Sequence, residues 1–273
     1  MDFSEISDRG LVLVGCGKMG TALLDGWLRQ GLEPNCFTVI DPKPSDHLKN
    51  LAKDGLRLNA EMPPNPAIAV LAVKPQMMGE VLPQLSALCG GQTVFLSIAA
   101  GTPISRFEES LGGNSPIIRA MPNTPSAIGE GITALVGNAQ VDPGDLELAD
   151  KLMQAVGKTV RLENENQMDA VTGVSGSGPA YVFLMMEAMT RAGVAQGLPE
   201  DLALELVRTT VAGAGALANS GDTKPEQLRI NVTSPKGTTE AALKVLMREG
   251  NGLTELMEEA VAAAADRGRE LAK

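Results

Sequence analysis

Leu11-Val12-Leu13-Val14-Gly15-Cys16-Gly17-Lys18-Met19-Gly20 is a short apolar strand running straight into a G-x-G-x-x-G turn. The first glycine of such a turn lets the chain bend sharply at the strand end. The second lets the backbone approach a pyrophosphate, and the third lets the next helix pack close to the strand. Residues 21–30 read as that helix, with Leu23, Leu24, Trp27 and Leu28 at helical spacing. Its N-terminus would offer free N–H groups and the positive end of a dipole to phosphates. Glycines at a strand–helix turn can be merely structural, but strand, helix and N-terminal position agree here. The reading is a bound dinucleotide, with Gly15, Cys16, Gly17, Lys18, Met19 and Gly20 around its pyrophosphate.

Working outward, residues 37–40 read as a second strand ending at Asp41. Asp41 stands about 20 residues after Gly20, where an acidic side chain can bind the ribose 2′-hydroxyl of NAD. Lys43 and Ser45 follow closely and offer a cation and a hydroxyl to the 2′-phosphate of NADP, so both cofactors stay open. Residues 67–73, 93–98 and 117–120 are further apolar runs, of the kind that form parallel strands covered on both faces. Helical patterns fill the gaps, among them residues 77–88 and 104–111. The fold class is an α/β N-terminal Rossmann domain, residues 1–162.

Beyond residue 163 the strands stop, and residues 179–195, 199–219, 238–248 and 253–271 read as helices. An all-α C-terminal domain over residues 163–273 follows. The helix carrying Val182, Phe183, Leu184, Met185, Met186 and Met189 is apolar nearly all round, so it must be buried on most sides. Packing in a subunit interface, and hence a homodimer, accounts for it better than a compact helical core.

The 273 residues carry a net charge of -10, which argues against a nucleic-acid partner. No polybasic patch or uninterrupted apolar span points to a membrane; Glu187 breaks the most apolar helix. Cys16, Cys36 and Cys89 form no C-x-x-C pair, which fits unpaired thiols in a reducing compartment and no structural metal. The first residues lack a basic and apolar leader pattern, so the expected location is the cytoplasm.

Several segments occur in an order that resembles one family: Ala72-Val73-Lys74-Pro75, Ala99-Ala100-Gly101, Arg119-Ala120-Met121-Pro122-Asn123-Thr124-Pro125, Gly176-Ser177-Gly178-Pro179-Ala180-Tyr181 and Thr233-Ser234-Pro235-Lys236-Gly237-Thr238-Thr239. Together they resemble pyrroline-5-carboxylate reductase over essentially the whole chain. The resemblance implies a Rossmann domain, a helical dimerisation domain, and reduction of a cyclic imine to L-proline by NADPH or NADH. It also implies a dimer, which in such families can be assembled into a ring. It puts the nicotinamide near Ala72, Val73, Lys74 and Pro75 and beside Met121, Pro122 and Asn123. The substrate falls on the turn with Ser234, Gly237, Thr238 and Thr239. Two positions depart from the family pattern. Lys236 stands where glycine is usual, and Met247 where an acidic, amide or Lys residue is usual. Lys236 either needs no left-handed backbone or lends its charge to the substrate carboxylate; the plainer reading is a solvated lysine.

A carboxylate is well served by a helix N-terminus, where the N–H groups of Gly237, Thr238 and Thr239 are expected to be unpaired, with the Ser234 hydroxyl as a further donor. Hydride transfer to an imine needs a protonated or strongly hydrogen-bonded nitrogen, a contact assigned to Thr238 as a positioning donor or water relay, since a threonine hydroxyl is too weak an acid to act alone. The single histidine, His47, is expected in a loop near the adenosine end of the cofactor. Two rivals are a β-hydroxyacid-type dehydrogenase and a non-catalytic dinucleotide-sensing protein. The first requires a lysine on an early helix of the second half, and residues 173–193 contain none. The second has no use for a substrate turn.

Overall fold

The computed structural model describes residues 3–271. Eight strands form one sheet: β1 Leu11–Val14, β2 Phe37–Ile40, β3 Arg57–Leu58, β4 Ile68–Leu71, β5 Val94–Ser97, β6 Ile117–Met121, β7 Gly131–Gly137 and β8 Gly157–Arg161. Their spatial order is β3-β2-β1-β4-β5-β6-β7-β8. Every pairing is parallel except β6 with β7. The helices of this part are α1 Ser4–Arg9, α2 Lys18–Arg29, α3 Asp46–Lys53, α4 Met78–Val81, α5 Ile104–Leu111, α6 Pro143–Gln154 and α7 Met168–Val171.

The apolar runs are explained by burial on both faces of the sheet. Leu11 and Leu13 of β1 point into one core with Leu23, Leu24, Trp27, Phe37, Val39, Ile68 and Leu152. Val12 and Val14, one residue out of phase, point into a second core with Leu71, Phe95, Phe107, Ile117 and Met168. A strand with helices on either side has no polar face to keep, so strict alternation disappears.

Residues 77–88 do not form the single helix that their spacing suggests. Pro75–Met77 and Leu82–Leu88 are 3-10 turns flanking the one α-turn of α4. Pro83 has no N–H to give to the carbonyl four residues back, and its ring crowds that carbonyl, so the backbone tightens. The apolar stripe survives the change: Met78, Val81, Leu82, Leu85 and Leu88 are all buried.

The remaining helices are α8 Gly178–Ala195, α9 Glu200–Asn219, α10 Pro225–Asn231, α11 Thr238–Leu246 and α12 Leu253–Leu271. By contacts the chain divides into two compact units, one running to Ser177 and resuming at Ala263, the other Gly178–Ala262. This division falls later than a boundary at 162/163. Met168 is fully buried in the second core of the sheet and Glu165 is paired with Arg119 of β6, so this stretch stays with the sheet. In the second unit no residue of α8 is buried, and Phe183 and Leu184 are 56% and 66% exposed. The compact helical core is therefore not what this helix builds within one chain. No helix among the described residues is long and apolar enough to cross a membrane.

Candidate active site

The strand order reverses between β1 and β4, the point at which a doubly wound sheet opens a crevice at the carboxyl ends of its strands. Both Gly15–Gly20 and Ala72–Pro75 leave the sheet there. Gly15 has φ +85°, and its N–H donates to the Ile40 carbonyl at 2.8 Å. A Cβ on Gly15 would stand 2.6 Å from Val73 Cγ1, and one on Gly20 would stand 2.6 Å from the Gly15 carbonyl oxygen. A Cβ on Gly17 would meet nothing within 4 Å. The outer glycines are thus fixed by protein packing, whereas Gly17 faces open space. Gly17 is also the N-cap of α2 and no side chain caps that helix, so its first N–H groups are available to an anion. These features fit a pyrophosphate.

Cys16 is enclosed in the loop, and burial pushes its thiol up to about 11 despite a lowering hydrogen bond with Thr21. It stays protonated at neutral pH, and no thiolate chemistry resides in the loop. Thr21, which the motif did not single out, ties the turn by donating to the Cys16 carbonyl at 3.1 Å.

Asp41 follows the last residue of β2. One carboxylate oxygen accepts the Cys16 N–H at 2.7 Å and the other accepts the Lys43 N–H at 2.8 Å. The side-chain amide of Asn59 brackets its backbone, accepting from the Asp41 N–H at 2.8 Å and donating to its carbonyl at 2.9 Å. Asn59 was invisible to motif reading because it acts from the end of a two-residue strand, β3, in a left-handed conformation with φ +50°. His47 does not lie in a loop. It stands in the first turn of α3, its Nε2 2.7 Å from Asp25 Oδ1.

Lys74 is exposed, while Ala72, Val73 and Pro75 are half-buried. Met121 ends β6 half-buried, and Pro122 and Asn123 are buried. The Asn123 side-chain oxygen accepts the Ile132 N–H at 3.0 Å, so it holds β7 in place. Nearby, Arg119 is 5% exposed on its side chain and donates from Nη1 to Glu165 Oε1 at 2.8 Å; that oxygen also accepts the Ile104 N–H. The other terminal nitrogen, Nη2, is buried with no partner. Arg119→Met is expected to lower stability by roughly 2 kcal/mol, because Glu165 loses its counter-charge but is exposed enough to rehydrate. An unchanged urea midpoint would show that the pair contributes nothing.

The other candidate segment lies in the second unit. The Gly237 N–H donates to the Ser234 carbonyl at 3.0 Å, closing a β-turn with Pro235 and Lys236 at its centre. Gly237 therefore has no free N–H, contrary to the sequence expectation, because the turn consumes it. Lys236 does adopt the left-handed backbone, with φ +60°, at a position where such turns favour glycine. A non-glycine residue there costs about 1 kcal/mol. Its N–H donates to Glu240 Oε2 at 2.5 Å, and Glu240 is held below its ordinary range chiefly by its bond to Lys244. Gly237 is the N-cap of α11, which no side chain caps, and Thr238 and Thr239 are its first residues. Among the described residues, the hydroxyls of Ser234, Thr238 and Thr239 make no hydrogen bond.

No group of three or more His, Cys, Asp or Glu that could hold a metal occurs among the described residues, and Cys16, Cys36 and Cys89 are free thiols. The fold and glycine loop define a Rossmann-type, dinucleotide-dependent oxidoreductase carrying a helical module. Residues 165–271 match the pyrroline-5-carboxylate reductase dimerisation model, and residues 11–101 match that of the coenzyme F420-dependent NADP oxidoreductases. The chain is 41% identical over 266 residues to the pyrroline-5-carboxylate reductase of Pseudomonas aeruginosa, covering 96% of this chain and 97% of that one. With the soybean (Glycine max) enzyme of the same name it shares 38% over 274 residues, 96% and 95% of the two chains. A solved pyrroline-5-carboxylate reductase from Coxiella burnetii superposes with a TM-score of 0.90 at 37% identity, covering 97% and 99%. The Plasmodium falciparum enzyme, solved with NADP bound, gives 0.82 at 29%, covering 97% and 99%. The chain belongs to the pyrroline-5-carboxylate reductase family.

Proposed function

We propose that this chain reduces 1-pyrroline-5-carboxylate to L-proline with NADH or NADPH, the last step of proline biosynthesis. The observation that carries the reading is the uncapped start of α11, with three unpartnered hydroxyls beside it, in a chain of this family. The substrate carboxylate would lie on the N–H groups of Thr238 and Thr239, with the Ser234 hydroxyl as a further donor. Thr238 Oγ1 would donate to the ring nitrogen and hold the imine in its electrophilic form, with the proton drawn from solvent. Met121 and residues 72–75 would wall the nicotinamide, and Gly15–Gly20 with Asp41 and Lys43 would hold the rest of the dinucleotide. When bound, the nicotinamide supplies the hydride; orientation of the ring against it accounts for most of the acceleration.

The half from residue 163 onward serves as the dimerisation and substrate module in this reading. The exposed apolar face of α8 calls for a partner surface of matching character, supplied by a second copy in a homodimer. Such a dimer can be the unit of a larger ring, which light scattering would register as a multiple of the dimer mass. The working compartment is the cytoplasm, in keeping with three unpaired thiols. Oxidation of NADH or NADPH on addition of pyrroline-5-carboxylate, with a β-hydroxy acid as control, tests the activity. Absence of imine-dependent oxidation with both cofactors would refute it.

A further inference from the structure

We propose that Asp41 sets the cofactor preference, so that the site takes NADH over NADPH. The proposal rests on the reading of the glycine loop as a dinucleotide site and names which dinucleotide it accepts.

Asp41 is immobilised to a degree that a surface carboxylate is not. Its two oxygens accept the N–H groups of Cys16 and Lys43, and the Asn59 amide clamps its backbone on both sides. An ionised carboxylate has about four lone-pair sites. Two are used here, which leaves two for hydroxyl donors such as those of a ribose. A 2′-phosphate brings negative charge and no matching donors to the same place. Asp41 could relieve the repulsion only by rotating away, and the N–H groups of Cys16 and Lys43 would then lose their acceptor. The first of these belongs to the glycine loop itself, so carboxylate and loop are coupled.

The surrounding charges do not compensate. The loop Asp41-Pro42-Lys43-Pro44-Ser45-Asp46-His47 contains no arginine, the side chain best suited to a phosphate. The Ser45 hydroxyl caps α3 by accepting from the Leu48 N–H, and the single neutral O–H donor it retains brings no positive charge to offset the carboxylate. Asp46 adds a second carboxylate, paired with Lys49, and His47 faces Asp25. Lys43 remains, an exposed and flexible ammonium set against a fixed carboxylate two residues away. That arrangement favours a neutral diol.

The test is direct titration of the full-length protein with NADH and NADPH separately, followed by nicotinamide fluorescence without any imine. Wild-type protein should bind NADH at least about tenfold more tightly than NADPH, a difference of about 1.4 kcal/mol. Asp41→Ser should weaken NADH, strengthen NADPH and shrink the ratio by about tenfold or more. Asp41→Asn keeps the shape and one acceptor, so it should also gain NADPH affinity while guarding against loss of the loop. Wild-type affinity for NADPH equal to or above that for NADH overturns the proposal, as does an unchanged ratio in both variants. Binding of neither nucleotide overturns both the proposal and the reading beneath it. A preference for NADH without imine reduction supports the proposal and sinks only the substrate assignment.

Discussion

Thr238→Ala is expected to give a folded protein whose kcat is reduced by about 10²- to 10³-fold, the loss typical of removing one hydrogen-bond donor aimed at the reacting atoms. The fold should be indifferent to the change. Thr238 is the first residue of α11, is exposed, and its hydroxyl makes no bond to the protein. Substitutions of that kind usually alter stability by no more than about 0.5 kcal/mol. The kinetic signature should fall on kcat rather than KM. The substrate carboxylate would still find the N–H groups of Thr238 and Thr239, which the substitution leaves in place, and the Ser234 hydroxyl. Ser234→Ala is expected to show the opposite split. Thr238→Ser restores a hydroxyl at the same atom and should recover most of the rate. Steady-state kinetics of the three variants, together with their urea midpoints, decide the matter. Wild-type kcat in Thr238→Ala would remove this residue from the reaction.

Much of the architecture was legible because the informative strands are buried on both faces. Val12 and Val14 serve one core and Leu11 and Leu13 the other, so the run is apolar throughout and stands out from its surroundings. Three strands have no counterpart in the sequence reading: β7, Gly131–Gly137, is as buried as the strands that were read, whereas the other two lack that property. β8, Gly157-Lys158-Thr159-Val160-Arg161, is an edge strand with three exposed residues and no apolar run to announce it. β3 is two residues long and owes its place to pairing with β2. The α/β half was recognisable, while its two edge strands and the antiparallel β7 were not. The same holds for the site. The glycine loop and the turn at Ser234–Thr239 are contiguous motifs and could be read directly. Asn59 and Asp25 act at a distance in sequence, on Asp41 and His47, and only the folded chain brings them there. The left-handed backbone at Lys236 was hidden for a different reason. Lysine carries no conformational signature, and the strain is imposed by the turn around it.

Trp27→Ala is expected to destabilise the sheet-bearing unit by about 4 kcal/mol, within the range for deleting a large aromatic from a packed core. Trp27 is fully buried, stacks on Phe37 of β2 with ring centroids 5.9 Å apart, and donates from Nε1 to the Leu152 carbonyl at the end of α6. It therefore links α2 to the strand beneath it and to the helix beside it. Its neighbour Gly26 shows how close that approach is, since a Cβ there would stand 2.8 Å from Val156 Cγ1. The consequence should reach the cofactor, because α2 is the helix whose uncapped N-terminus follows the glycine loop. If α2 loosens, its first N–H groups are no longer fixed where a pyrophosphate would meet them, and NADH affinity should fall along with stability. Trp27→Phe separates the two contributions. It retains a ring against Phe37 but leaves the Leu152 carbonyl without its donor, and should cost about 1–3 kcal/mol. Saturating NADH should partly restore both variants, since a ligand that binds only the folded state stabilises it by an amount that grows with the logarithm of its concentration relative to Kd. Because Trp27 is the sole tryptophan, unfolding is best followed by far-UV circular dichroism, with and without nucleotide. A denaturation midpoint for Trp27→Ala within error of wild type, or a larger loss in Trp27→Phe than in Trp27→Ala, would show that α2 is anchored by something other than this side chain.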